Sequence, residues 1–96
     1  MRVEWTERAE ADALEIAEYI HVNAHAVARA IYNEIHRQVA MLADFPRMGR
    51  PGRVPGTREL VVSGTPYIAA YRVEAHDDAV LILRVLHGTR RWPREF

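Results

Sequence analysis

Thirteen arginines and five histidines carry most of the chemistry this sequence offers. Arg47, Arg50, Arg53 and Arg58 surround a Gly/Pro-rich stretch, Arg72 and Arg84 fall within apolar runs, and Arg90, Arg91 and Arg94 crowd the final residues. A planar guanidinium binds phosphates and carboxylates bidentately, so such clusters suit nucleic acid or an acidic peptide. His87 closes the last apolar run and is followed by Gly88, Thr89, Arg90, Arg91 and Trp92. A histidine beside two arginines has the parts for phosphodiester cleavage, with the imidazole as general acid and Arg90 or Arg84 stabilising the developing charge. A histidine at a strand end also serves as a structural or capping group, and spacing alone favours that role. His21 and His25 are four apart, a spacing that puts two ligands on one helix face, but no third ligand accompanies them and no metal site is expected. Tyr67 and Tyr71 share a strand face and read as core. There is no phosphate-cradling glycine motif and no Gly-x-Ser-x-Gly elbow, so no cofactor is expected.

The charges are segregated along the chain. Residues 1–46 hold 4 Arg against 8 acids and residues 47–96 hold 9 Arg against 5, a balance of −4 followed by +4 beneath a net charge of zero. The chain has no lysine, and its arginines accompany 14 Ala and 10 Val, as a GC-rich coding sequence would produce. Codon bias explains the choice of Arg over Lys but not the segregation, which points to an interaction surface. With 49% hydrophobic and 27% charged residues over 96 positions, one globular domain spanning 1–96 is expected. Zero cysteines exclude a disulfide scaffold, a thiol nucleophile and an iron–sulfur cluster. The opening residues lack the apolar core of a secretory leader, and the longest apolar run, Ala79 to Leu83, is too short to span a bilayer. The expectation is a soluble cytoplasmic protein with no membrane partner.

These residues must be positioned by a small set of elements. Residues 2–6 alternate as a short half-buried strand. Thr6 then caps a helix over 7–22 with Ala9, Ala13, Ile16, Ala17 and Ile20 on one face and Glu7, Glu10, Asp12, Glu15 and Glu18 on the other. Asn23 is a plausible break and cap, and Val27, Ile31, Ile35, Val39 and Leu42 mark a second helix ended by Asp44, Phe45 and Pro46. Residues 47–56, with five Gly/Pro, form a long loop. Strands are expected over 57–63, 67–74 and 80–86. The order β-α-α-β-β-β implies an α+β fold, a small antiparallel sheet with the helical hairpin packed on one face. One helical layer covers one face only, and both alternating sets of the last strand are apolar, which leaves an uncovered face for a binding partner.

Four segments carry a family resemblance: "LADFPRMGRPG" at the second helix end, "GTREL" at the following strand, "YIAAYRV" on the next, and the terminal "RVLHGTRRWP". In this order they resemble the RelE/ParE superfamily of bacterial type II toxins, over nearly the whole chain. RelE-like members cleave mRNA on the ribosome, and ParE-like members poison DNA gyrase. The nuclease branch resembles a sheet face with a key cation after an aromatic residue; here that position is Ile68, and a lysine cluster is impossible. An isoleucine cannot stabilise a developing phosphorane. The "RVLHGTRRWP" ending looks like the ParE branch, with His87, Arg90, Arg91 and Trp92 facing gyrase. The alternative is a ribosome-dependent nuclease using His87, Arg90 and Arg84. The resemblance also implies a ParD-like antitoxin encoded beside the toxin, whose DNA-binding region alone contacts operator DNA and whose disordered acidic arm wraps the toxin. Arg58, Leu60, Val62, Ile68, Ala70, Arg72 and Arg84 are the residues expected to meet that arm.

Overall fold

The computed structural model describes residues 1–22 and 24–96, so Asn23, expected as the break between helices, lies outside the described residues. Strand β1 (Arg2–Trp5) leads into helix α1 (Glu7–His21), which is followed by α2 (His25–Ala40) and a 3-10 turn at Met41–Ala43. Strands β2 (Arg50–Pro51), β3 (Arg58–Val61), β4 (Tyr67–Glu74) and β5 (Ala79–His87) complete the chain. Thr6 caps α1 as expected, accepting the Ala9 N–H at 3.0 Å through its hydroxyl.

The sheet order is β1-β5-β4-β3-β2. Pairing among β2, β3, β4 and β5 is antiparallel, but β1 runs parallel to β5, with Arg2 opposite Ala79 and Trp5 opposite Ile82. The sheet is therefore mixed rather than wholly antiparallel. No turn links the first strand to the last, so no local signal sets their relative direction. The expected loop at 47–56 also contributes a strand, the two-residue β2.

The core lies between the sheet and the helices. Ala9, Ile35, Val39 and Leu42 from the helical layer meet Leu60, Val62, Tyr67, Ala69, Tyr71, Val80, Ile82 and Val85. Val27, assigned by spacing to the buried face of α2, is exposed instead. A β-bulge in β5 opposite Ala70 and Tyr71 breaks the simple alternation: Ala70 pairs with Arg84 and Tyr71 with Ile82, so Leu83 is the extra residue. Val80, Ile82 and Val85 thereby share the helix-facing side. Tyr71 is fully buried and ties the loop to the sheet, its hydroxyl donating to Pro46 O at 2.7 Å and accepting the Gly49 N–H at 2.9 Å. A Cβ on Gly49 would sit 2.7 Å from that hydroxyl and from Glu59 O, which is why glycine occupies the crossing.

Between the helices and β1, Trp5 stacks on His36 at 4.2 Å, and the Tyr32 hydroxyl donates to Glu10 at 2.6 Å. That bond, with burial and the negative charge of Glu10 added, raises the Tyr32 pKa above the ordinary tyrosine value. Glu10, read as solvent-facing, thus staples α1 to α2.

Removing the Tyr71 hydroxyl strands two backbone partners, the buried Gly49 N–H and the half-buried Pro46 carbonyl. Tyr71→Phe is expected to lower the unfolding free energy by about 1–3 kcal/mol, read as a shift in urea midpoint with unchanged slope. An unaltered midpoint would mean that the hydroxyl does not hold the loop.

Candidate functional site

The arginines divide by what they touch. Seven are ion-paired: Arg2 with Glu4, Arg8 and Arg84 with Asp12, Arg37 with Glu34, Arg50 and Arg53 with Glu59, and Arg72 with Glu74. Arg58 donates to the carbonyls of Gly49 and Arg47 at 2.9 and 3.1 Å. Arg29, Arg47, Arg90, Arg91 and Arg94 have no carboxylate or carbonyl partner for their guanidinium among the described residues. Three of these five lie in the tail after β5.

Asp12, expected on the outer acidic face of α1, is buried instead, with only 2% of its side chain exposed. It accepts Arg84 through two bonds, at 2.8 and 3.2 Å, takes the Val85 N–H at 2.9 Å, and lies 3.3 Å from the Arg8 guanidinium. Its position between Ala9, Ala13 and Ile16 is the signal that was available, since residue 12 falls on the same helical stripe. Beyond the end of β1, Thr6 and Asp12 take the place of a neighbouring strand: Thr6 donates to Ile82 O through its N–H and to Leu83 O through its hydroxyl.

A second carboxylate fixes the tail. The Glu59 side chain, 3% exposed, accepts the Arg53 N–H at 2.8 Å and the guanidiniums of Arg50 and Arg53, each at 3.1 Å. Burial raises its pKa, but the Arg53 N–H and the two guanidiniums outweigh it and hold the carboxyl below the ordinary glutamate range. Arg53 then lies 4.0 Å over the ring of Trp92, whose indole N–H points to His87 O at 3.4 Å. Gly88 passes close to Ile68, so the tail begins against the face turned away from the helices.

The residues expected to form an open antitoxin-binding face are therefore not an exposed apolar surface. Leu60 and Val62 lie in the helix-facing core, because register with β4 turns them inward, and Ile68 and Ala70 are buried on the opposite face. Arg84 is held by Asp12 and Arg58 by carbonyls, which leaves Arg72, paired with Glu74 at 2.8 Å, at the surface. Of the target-facing set, Arg90, Arg91 and Trp92 come together with Arg84, Arg8, Leu86 and Pro93 around an open cleft of about 400 Å³. His87 does not line it. Its ring meets Tyr67 edge-on at 5.6 Å, and Nδ1 takes the Thr89 N–H at 3.2 Å, which puts the proton of the neutral ring on Nε2. Burial raises the pKa of Tyr67. His21 and His25 touch edge-on at 3.7 Å beside an open groove on the outer side of the hairpin, and among the described residues no three His, Asp or Glu side chains converge as metal ligands.

The cleft is lined by four guanidiniums and no carboxylate, an arrangement suited to anionic or carboxylate-bearing partners. Against known proteins, the family model described as the ParE toxin of the type II toxin-antitoxin system parDE matches residues 3–92. The chain belongs to the ParE toxin family. It is 40% identical to the Sinorhizobium fredii protein Y4kP over 93 residues, covering 97% of this chain and 94% of that one. It is 35% identical to toxin RelE2 of Caulobacter vibrioides over 89 residues, covering 93% and 97%. Among solved structures, a chain of the chromosomal ParDE system of P. aeruginosa superposes with a TM-score of 0.81 at 31% identity, covering 91% of this chain and 95% of that one. This ParE-family chain is thus a toxin of a type II toxin–antitoxin system, and no helix among its described residues is long and apolar enough to cross a membrane.

Asp12→Asn keeps the shape but leaves Arg84 without its countercharge. It is expected to lower the unfolding free energy by about 3 kcal/mol, with part regained in Asp12→Asn/Arg84→Leu, both read by urea unfolding. Glu59 gives a pH signature. A carboxyl with a depressed folded pKa stabilises the fold above the unfolded pKa of about 4.3 and loses that contribution as pH falls through the folded value. Urea unfolding at pH 7 and pH 3 should therefore show a loss on acidification that is smaller in Glu59→Gln. An equal loss in both proteins would remove Glu59 from the acid response.

Proposed function

We propose that this toxin inhibits DNA gyrase by gripping it with the C-terminal tail, and that a ParD-like antitoxin encoded beside it neutralises this action. The observation that carries the reading is where uncommitted charge remains. Arg90, Arg91 and Arg94 lie within five residues, around a Trp92 already fixed on Arg53. Tryptophan and arginine dominate protein–protein hot spots, and an anchored indole costs little ordering on binding. The nuclease alternative needs a free cation on the sheet beside His87. Arg84 is saturated by Asp12, Ile68 is buried and uncharged, and the unpaired Arg90 lies in a cleft that His87 does not line, which supports a binding surface rather than a cutting one. On this reading His87 contributes by shaping the start of the tail, the protein acts in the cytoplasm without membrane or cofactor, and operator DNA is reached only through the antitoxin.

Purified toxin is expected to stop gyrase supercoiling at micromolar concentration. Arg90→Ala/Arg91→Ala should raise the half-inhibitory concentration by roughly tenfold or more while leaving the urea midpoint in place. Unimpeded supercoiling, together with fragmented mRNA in a reconstituted translation reaction that His87→Ala abolishes, would replace this reading with the nuclease one.

A further inference from the structure

Cations are concentrated in the cleft beside the tail. Arg8, Arg84, Arg90 and Arg91 line it over a volume of about 400 Å³, and no carboxylate lines it with them. Arg29, by contrast, lies in a separate groove on the outer side of the hairpin, together with Glu18.

Three of the four guanidiniums keep donors to offer. Arg84 spends two hydrogen bonds on Asp12, and only 16% of its side chain is exposed. Arg8 approaches the same carboxylate at 3.3 Å without a hydrogen bond to it, and 53% of its side chain is exposed. One carboxylate therefore answers two arginines, and it lies beneath them rather than in the cleft. Arg90 and Arg91 have no acceptor for their guanidiniums among the described residues. The tail from Gly88 onward adds one glutamate, Glu95, and it does not line the cleft.

Two observations favour a phosphodiester backbone over a peptide here. An acidic peptide is ordinarily fixed by adding a strand to a sheet edge and seating apolar side chains in pockets. The edge of β5 is already taken, because Asp12 accepts the Val85 N–H at 2.9 Å and the His87 carbonyl accepts the Arg90 N–H at 3.0 Å. Leu86 is only 2% exposed, so the cleft offers charge and little apolar surface. A set of guanidiniums without pockets matches a chain of phosphates, whose contacts position a duplex without reading its sequence. A single strand would gain most by stacking its bases on an aromatic ring. The Arg53 guanidinium already covers one face of Trp92 at 4.0 Å, so the form that fits is the duplex, with its bases turned inward.

We propose that this cleft binds the phosphate backbone of duplex DNA, and that the duplex held by gyrase is the one it meets, so that the toxin contacts enzyme and DNA together. The identity of that duplex rests on the gyrase reading above; the preference for phosphate rests on the cleft alone. Three free guanidiniums bind DNA weakly, and gyrase supplies the proximity. Purified toxin titrated into a short fluorescein-labelled duplex is expected to raise its anisotropy at low salt, with a slope of about −3 in log K against log salt. Arg8→Gln should bring that slope to about −2 and Arg90→Ala/Arg91→Ala to about −1, the double variant binding at least tenfold more weakly. Arg29→Gln removes the same charge outside the cleft and should leave binding unchanged, with the circular dichroism spectrum of every variant like that of wild type. At matched ionic strength, inorganic phosphate and polyglutamate should each displace the label at least tenfold less well than unlabelled duplex. No binding at low salt, an equal loss in Arg29→Gln, or displacement by either competitor as efficient as by duplex overturns the DNA site. Tighter binding of single-stranded RNA than of the duplex also overturns it. Supercoiling assays on the same preparations separate the two claims. Inhibition of gyrase without DNA binding overturns the cleft's assignment and leaves the gyrase reading in place. DNA binding by a toxin that leaves supercoiling untouched upholds the phosphate site and overturns gyrase as the enzyme that presents the duplex.

Discussion

The buried carboxylate of Asp12 is the constraint on which the functional end of this molecule depends. Strand β5 is longer than the parallel partner that covers it, so past Ile82 its edge would open to water or to another chain. Helix α1 crosses that edge immediately after β1 ends, and Thr6 and Asp12 supply the missing hydrogen bonds. An unpaired carboxylate in this position would be costly, and Arg84 answers it bidentately while Arg8 lies alongside. One helix thereby fixes the bulged half of β5 and the point from which the tail departs.

The same accounting of charge separates structure from function among side chains of identical chemistry. An arginine that reaches a buried carboxylate is spent on the fold; one left in solvent beside an anchored aromatic ring is available to a partner. Glu59 makes the second division as Asp12 makes the first, since it orders Arg53 and through it Trp92. The net charge of zero, and even the segregation into acidic and basic halves, conceals this. Several acids of the first half hold arginines close by, Asp12 reaches across to the sheet, and the surplus of the second half is expressed at the tail.

Much of this was legible beforehand because its causes are local. Period marked both helices and capping the first, with Thr6 in its expected role, and β-branched runs marked β3, β4 and β5. The parallel direction of β1 was not legible, because it depends on contacts between opposite ends of the chain and on no turn. The bulge at Leu83 was hidden for a related reason: a continuous apolar run gives no alternation from which a break can be seen. From that followed the wrong partition of faces and the expectation of an open apolar surface around Ile68 and Ala70, which the start of the tail and the Glu59 network instead help to enclose. The charge pattern does not separate the arginines by role: Arg84 is held by Asp12, a buried acid inside an apolar helical stripe, whereas Arg90 and Arg91 meet no carboxylate among the described residues.

The division between arginines held by buried carboxylates and arginines left in solvent is open to direct test. The most direct measurement is the hydrogen exchange of each guanidinium Nε–H in the free protein, followed by NMR on arginine-labelled toxin near neutral pH. Slow exchange at Arg84 and Arg53, with exchange too fast to follow at Arg90 and Arg91, is the predicted result. Exchange at Arg84 as fast as at Arg90 and Arg91 would contradict it, because Asp12 would then not hold the sheet end and Arg84 would return to the pool of groups free to bind.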